Sequence, residues 1–278
     1  MYSLKIRVRL ILVIIPILLV LHLSTSLISS HFSTRVIEDH AKENAQLLSD
    51  SLSSQLNSKI EHYLNISQDL SSTIITAINV ETTLQIARKR YPQFTHIFYT
   101  PPDGNILEMA PYSAKLMDYP LKEIESYKRA VSSKKPVVSV AENYFGSKSV
   151  IIFAPVKLSF VHDQPHMLQG IVALVLPLES LFTDIKEISE ESSGSIFIID
   201  KRKIFLFHDD PEHVLTQNIH AISSHPILEK IFSAMSAQKK GFSTYTSEKE
   251  KNYMAFSPVS MAGWSLAVYG SYDQIESE

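Results

Sequence analysis

The chain has 278 residues, of which 45 % are hydrophobic, with 26 Lys plus Arg, 29 Asp plus Glu and no Cys. This is the composition of a globular protein of one or two domains, and it excludes the collagen-like, low-complexity and multi-span membrane classes. The absence of Cys excludes thiolate catalysis, iron–sulfur clusters and Cys-based zinc sites, and it is compatible with an oxidising compartment.

The first 30 residues have the pattern of a membrane anchor. A basic tail at 1–9 carries three cations and no acid, and an apolar run follows to about residue 28. Roughly 20 apolar residues span a bilayer, and cations mark the cytoplasmic end. We therefore predict a transmembrane helix over 10–30 in the inner membrane, with the N-terminus cytoplasmic and the bulk of the chain periplasmic or extracellular. A cleaved signal peptide, with small residues at 24–26, is the alternative.

The remainder of the chain is net acidic. Without the three N-terminal cations, 23 basic residues stand against 29 acidic ones, a net charge of −6. Nucleic-acid binding needs a basic face, so we predict no nucleic-acid partner.

A long amphipathic stalk helix is predicted over 31–78. No Gly or Pro occurs between Ser33 and Ile78, and apolar or small residues recur every three or four positions, which is the helical period. Such a helix would be roughly 65 to 70 Å long at 1.5 Å per residue. Its apolar stripe packs either on its own domain alone or also on a second copy, and we expect a homodimer through this helix.

Beyond the helix, two segments repeat one order of elements: a hairpin, a helix and three antiparallel strands. The first segment is 79–190, with a strong turn at 101–105, and the second is 191–272, with a turn at 200–203. Residues 273–278 form a C-terminal tail. The predicted fold class is α+β, with an N-terminal transmembrane helix, a long amphipathic helix and two tandem antiparallel-sheet modules.

Several motifs occur in a fixed order along the two modules. They are Ser126 to Ala130 (SYKRA), Ile151 to Val156 (IIFAPV), Gln169 to Val175 (QGIVALV), Gly194 to Asp200 (GSIFIID) and Ala262 to Val268 (AGWSLAV). This set resembles the double Cache extracytoplasmic sensor domain of bacterial transmembrane receptors. The resemblance covers about residues 33 to 272. It implies two PAS-like modules, membrane-distal at 79–190 and membrane-proximal at 191–272, with a second transmembrane helix expected after the tail.

The resemblance implies a function as well as a fold. The chain would be the small-molecule sensing domain of a chemoreceptor, sensor histidine kinase or diguanylate cyclase type receptor, signalling by ligand-biased rearrangement of a dimer. We expect no enzymatic activity and no cofactor, since the nucleophile-elbow, phosphate-loop and H-E-x-x-H motifs do not occur. The alternative is a ligand-free structural or interaction module that binds another envelope protein.

Candidate ligand-binding residues come from the distal module, where the ligand would lie against the sheet. They are Tyr99, Tyr112, Asp118, Tyr119, Tyr127, Ser139, Glu142, Tyr144 and Phe153. Aromatic walls with a few polar anchors are typical of small-molecule pockets, although aromatic residues are also common in the cores of sheets. Tyr127 is the strongest candidate because it matches a ligand-binding position of the family.

The resemblance also bears on the class of ligand. The amino-acid-binding members place Arg and Trp before the matching Tyr and a carboxylate at the end of the sheet, so that both charges of the ligand are paired. Aligned on Ala130, this chain has Ile124, Ser126 and Val175 at those positions. We therefore expect a ligand other than a free amino acid.

His208, Asp210 and His213 are a weak metal candidate, because imidazole and carboxylate groups suit zinc and other divalent ions. The alternative is that this segment is the turn that ends a strand, and we predict no metal site.

Overall fold

The fold consists of one long helix and two antiparallel sheets. The computed structural model describes residues 2–158, 167–191, 194–216, 226–247 and 250–272, without the side chains of 2–16, 20 and 27–34. Helix α1, Tyr2–Ile75, is continuous over 74 residues. The predicted anchor at 10–30 lies within α1, but many of its side chains lie outside the described residues, as does the whole of the predicted tail at 273–278.

Among the residues that the structure describes, none of the helices combines the length and the apolar character that crossing a membrane requires.

The first sheet follows a short helix, α2 (Val80–Arg90), whose first turn is capped by the Asn79 side chain, which accepts a hydrogen bond from the Thr82 amide at 2.9 Å. The sheet has the strand order β2-β1-β6-β5-β3, and β4 also pairs with β5. Helix α3 covers one face. The elements are β1 (His96–Thr100), β2 (Glu108–Ala110), α3 (Glu125–Ser133), β3 (Val137–Val138), β4 (Glu142–Tyr144), β5 (Ser147–Leu158) and β6 (Met167–Pro177).

The second sheet has the same antiparallel character and the order β8-β7-β11-β10-β9. Two short helices, α4 (Leu178–Leu181) and α5 (Thr183–Glu191), connect it to the first sheet. Its own elements are β7 (Ser195–Ile199), β8 (Phe205–His208), α6 (Pro226–Ser236), β9 (Gly241–Ser247), β10 (Glu250–Val259) and β11 (Trp264–Ser271). The predicted order of hairpin, helix and three strands is thus confirmed in the second sheet, whereas in the first sheet four strands, β3 to β6, follow α3.

The fourth strand arises because the extended segment after α3 is divided in two. Strand β3 ends at Val138, and β4 forms separately from Glu142. The reason is local: the Ser139 hydroxyl accepts a hydrogen bond from the Ile151 amide at 2.8 Å, and so it occupies the place of a backbone carbonyl in the ladder. A side chain that replaces a ladder acceptor interrupts regular pairing.

One face of α1 is buried against both sheets. A single apolar cluster joins the α1 residues Leu52, Leu56 and Leu70 to β6 of the first sheet and β11 of the second. Serines allow close approach at both ends: the Ser53 hydroxyl donates to the Pro258 carbonyl at 2.6 Å, and the Ser71 hydroxyl donates to the Pro155 carbonyl at 2.8 Å. Helix α1 is therefore the common support of the two modules.

We expect Leu56→Ala to lower the free energy of unfolding by about 2 to 5 kcal/mol, because it leaves a cavity in this cluster. Leu56 is 2 % exposed. The matched control is Leu107→Ala, where the leucine is 53 % exposed and the change should stay within about 0.5 kcal/mol. Urea unfolding of both variants measures the difference, and equal losses would contradict this packing.

Candidate functional site

A cavity of about 670 Å³ lies where the two modules meet. Its distal wall is formed by the start of α3 and by residues 136–144, and its proximal wall by the turns 200–202 and 260–264. Cavities of roughly 300 to 1,000 Å³ are the size range of small-molecule sites. We call it the first cavity.

Among the described residues, two buried hydroxyl groups on lining side chains of the first cavity have no hydrogen-bond partner. They are Ser126 Oγ, on α3, and the Tyr144 hydroxyl, at the end of β4. The two residues are only 6 % and 2 % exposed. A buried polar group without a partner lowers the stability of the folded state by about 1 to 3 kcal/mol. A ligand that hydrogen-bonds to these hydroxyls would recover part of that stability.

Tyr144 is a neutral phenol at this site. Burial raises its pKa to about 12, and the nearby Ser139 hydroxyl opposes that shift only in part. The Ser139 hydroxyl donates to the Val140 carbonyl at 2.7 Å and accepts from the Ile151 amide at 2.8 Å, so only its second acceptor site is left toward Tyr144. The Tyr144 hydroxyl can therefore donate or accept toward a ligand throughout the physiological pH range.

A network around Arg202 closes one side of the first cavity. Arg202 Nε donates to Asp200 at 2.7 Å, Nη1 to Glu142 at 3.3 Å, and Nη2 to the Ala141 carbonyl at 3.2 Å. Burial opposes the charge of Arg202, but the two carboxylates outweigh it and raise its pKa. Because the Arg202 to Glu142 pair is partly exposed, we regard it as orienting the modules rather than stabilising them.

Four of the nine predicted ligand-binding residues line the first cavity: Tyr119, Ser139, Glu142 and Tyr144. Their role in binding stays a prediction.

Tyr127 and Phe153 lie behind the first cavity, in the core between α3 and the sheet. The Tyr127 hydroxyl donates to the Pro101 carbonyl at 2.7 Å and lies 3.0 Å from the Thr100 hydroxyl, and burial raises its pKa. The two rings meet edge to face at 5.5 Å. Tyr127 is thus satisfied within the protein and holds the start of the β1–β2 turn.

The other three predicted residues are not brought to the first cavity. Tyr99 lies on the opposite face of the sheet, where it packs on the α1-side cluster and its hydroxyl donates to the Gln169 carbonyl at 3.1 Å. Tyr112 and Asp118 are exposed and lie outside the lining.

Sequence reasoning missed three members of the site: Ser126, Arg202 and Trp264. Ser126 adjoins Tyr127 on α3 and lies one helical turn before Ala130. This spacing places Ser126 on the buried face of the helix, and it was the sequence signal that could have identified Ser126 as a site residue. Arg202 and Trp264 come from the other module. Only the tertiary structure places their turns beside β4, so no local pattern could have shown them.

The positions that carry charge in the amino-acid-binding pattern are apolar here in space as well as in sequence. Val175 is fully buried in the cluster that surrounds Tyr127, and Ile124 packs against that cluster and lines the first cavity. Neither position offers a charge to a zwitterion.

The His208 segment is a turn held by its own hydrogen bonds. His208 Nδ1 accepts from the Asp210 amide at 2.9 Å, and the Asp210 carboxylate accepts from the Glu212 amide at 2.9 Å. His213 Nε2 is 3.8 Å from Asp210. Across the described ranges, no group of three or more His, Cys, Asp or Glu side chains is arranged to hold a metal ion.

Comparison with known proteins agrees with this architecture. The extracellular ligand binding receptor from Desulfohalobium retbaense is 16 % identical with a TM-score of 0.63 over 81 % of this chain, which spans only 40 % of that receptor's length. The ligand-binding domain of the Pseudomonas aeruginosa amino acid chemoreceptor PctB, in complex with L-Gln, is 18 % identical with a TM-score of 0.61, covering 84 % of this chain and 92 % of its own. The extracellular domain of the putative histidine kinase mmHK1S-Z3 is 12 % identical with a TM-score of 0.63, covering 87 % and 97 %.

At these identities the similarities show the fold. The L-Gln bound by PctB gives no support to the expectation that the ligand of this chain is not a free amino acid. No curated protein matches the chain in sequence.

The family model for the Cache domain matches residues 33–278, most of the chain. The chain therefore belongs to the Cache domain family.

Proposed function

We propose that this chain senses an extracytoplasmic small molecule for a bacterial membrane receptor of the chemoreceptor, histidine kinase or diguanylate cyclase type. In this proposal residues 10–30 anchor it in the inner membrane with the N-terminus cytoplasmic, and the ligand binds in the first cavity. The observation that supports the proposal is the pair of buried, unpartnered hydroxyls of Ser126 and Tyr144 in a cavity of ligand size.

The position of the first cavity supports a mechanism of signalling. A ligand there would contact α3 of one module and the turns 200–202 and 260–264 of the other. It could shift the arrangement of the modules only through different affinities for two arrangements. Since α1 packs on both sheets, a change in their relative position would be transmitted along α1 toward the N-terminal segment.

The chemistry of the first cavity favours a ligand that hydrogen-bonds without two opposite charges. Among the described residues of the lining, the buried groups without a partner are neutral hydroxyls, and Arg202, Asp200 and Glu142 pair with one another. The other charged lining residues, Glu123, Glu125, Arg129 and Lys201, are exposed, so water screens their charges. We therefore propose a ligand other than a free amino acid.

We expect a ligand from a panel of amino acids, organic acids, amines and nucleobases to raise the melting temperature of the full chain in proportion to the logarithm of its concentration. Tyr144→Phe and Ser126→Ala each remove one hydrogen bond of about 0.5 to 1.5 kcal/mol and should weaken binding about 2- to 13-fold. Isothermal titration calorimetry measures these changes, with Tyr112→Phe, an exposed tyrosine outside the cavity, as the matched control.

The outcomes separate the parts of the proposal. If amino acids alone raise the melting temperature, the proposed ligand class is wrong. If Tyr144→Phe, Ser126→Ala and Tyr112→Phe all bind like the parent chain, the ligand lies elsewhere.

A second candidate function, a ligand-free module that binds another envelope protein, has its own observation. Strand β2 is the edge of the distal sheet, and apolar side chains near it in sequence or on α2 are exposed, namely Ile78, Ile86, Leu107 and Tyr112. Exposed apolar side chains beside a free edge are a feature of interaction surfaces. Failure of the whole panel with a cooperative melt would favour this function.

We also propose a homodimer through α1. Val36 and Leu47 are exposed apolar residues 11 positions apart, about three helical turns, and so they share the face of α1 that points away from the sheets. Because the chain has no native Cys, single cysteines report this contact directly.

In membranes, the Leu47→Cys chain should form a disulfide-linked dimer under mild oxidation, seen as a doubled mass on non-reducing gels. The control is Lys128→Cys, at an exposed position on α3. Equal cross-linking of the two variants would indicate random collision and contradict the dimer.

A further inference from the structure

A second cavity, of about 690 Å³, lies at another part of the seam between the modules and shares no lining residue with the first. Its apolar lining comes from both modules: Pro177, Leu178 and Phe182 on one side, and Leu206, Phe207 and Val214 on the other. The volume is again in the range of small-molecule sites.

Three aromatic rings connect the two cavities. Phe182 meets Phe207 edge to face at 5.9 Å, and it meets Trp264 edge to face at 6.0 Å. Phe182 and Phe207 line the second cavity, whereas Trp264 lines the first. Aromatic faces and edges favour another ring as the occupant.

The charged side chains around the second cavity are mostly engaged. Lys148 donates to the Pro211 carbonyl at 3.3 Å, Lys186 lies 4.0 Å from Glu190, and Asp209 accepts from the Ser189 hydroxyl at 2.7 Å. The remaining lining carboxylate, Glu179, is exposed. All five of these charged side chains are exposed, so water screens their charges and none of them repays the hydration that a charged ligand would lose in the apolar part of the cavity.

His208 supplies a directed polar contact in the second cavity. Its Nδ1 accepts from the Asp210 amide, so in the neutral ring the proton is on Nε2. Burial, assisted by the neighbouring His213, lowers its pKa, which keeps the ring neutral at neutral pH. In the described part of the chain, no acceptor takes the Nε2 proton, so Nε2 is free to donate to a ligand.

We propose that the second cavity is a binding site for an uncharged aromatic compound that carries an oxygen acceptor. Its ring packs against Phe182 and Phe207, and its oxygen accepts from His208 Nε2. This inference does not depend on the first cavity or on the ligand proposed there.

The test uses benzamide as the probe, with benzoate and benzylamine as anionic and cationic compounds of matched shape. Trp264 is the sole tryptophan of the sequence, so the intrinsic fluorescence of the full chain in lipid nanodiscs reports changes that reach it through Phe182. We expect a saturable change with benzamide and at least tenfold weaker binding of the two charged compounds. Empty nanodiscs correct for partition into lipid.

Variants assign the site. Val214→Phe adds a ring to the lining of the second cavity that competes with benzamide for the same space, and it should abolish the change. His208→Phe removes the donor and should weaken binding about 2- to 13-fold. The matched control is Val140→Phe, at an exposed position that lines the first cavity, which should leave benzamide binding unchanged.

If a variant fails to fold, nuclear Overhauser effects in the parent chain test the site instead. We expect such effects between benzamide and the methyl groups of Leu178, Leu206 and Val214. The proposal is overturned if benzamide gives neither saturation nor these effects, if Val140→Phe and not Val214→Phe abolishes binding, or if the charged compounds bind equally well.

Discussion

The burial of one face of α1 against two separate sheets is the constraint on which the rest of the structure depends. Strands β5 and β10 each lie along α1, and Ser71 and Ser53 bring the helix to within hydrogen-bonding distance of their carbonyls. Because both sheets pack on the same helix, their spacing is set by positions along it. The seam between them, with its two cavities, is a consequence of that spacing.

The two cavities differ in chemistry although both lie at this seam. The first presents unpartnered hydroxyls and is closed by the Arg202 network, and the second is apolar with one directed imidazole. The rings of Phe207, Phe182 and Trp264 connect them. A ligand in either cavity would contact both modules and so affect the same contact between them. If a ligand in one cavity changes the affinity of the other, the reverse effect must be equal in size.

The distal core explains why the first cavity lies at the seam rather than deep beneath α3. The space between α3 and the sheet is filled by apolar side chains, with Val175 and Phe153 fully buried. The Tyr127 hydroxyl in this space already hydrogen-bonds to the Pro101 carbonyl and the Thr100 hydroxyl. Among the described residues, the buried hydroxyl groups without a partner lie at the edge of this core, on Ser126 and Tyr144. The hydroxyl groups that could bind a ligand therefore lie near the proximal module rather than within the distal core.

The sequence by itself determined the type and order of the main secondary-structure elements. The helical period predicted α1 through the stalk, and turn residues placed the two hairpins. Which face each strand presents was decided only by the tertiary structure. Strands β5 and β6 are buried on both faces and read as continuous apolar runs, so they carry no alternation from which a face could be assigned. Strand β1 likewise has Ile97, Phe98 and Tyr99 in succession, so its sequence could not place Tyr99 on the α1 side. The contact of Arg202 with Glu142, 60 residues away, depends on how the two modules pack and has no local sequence pattern.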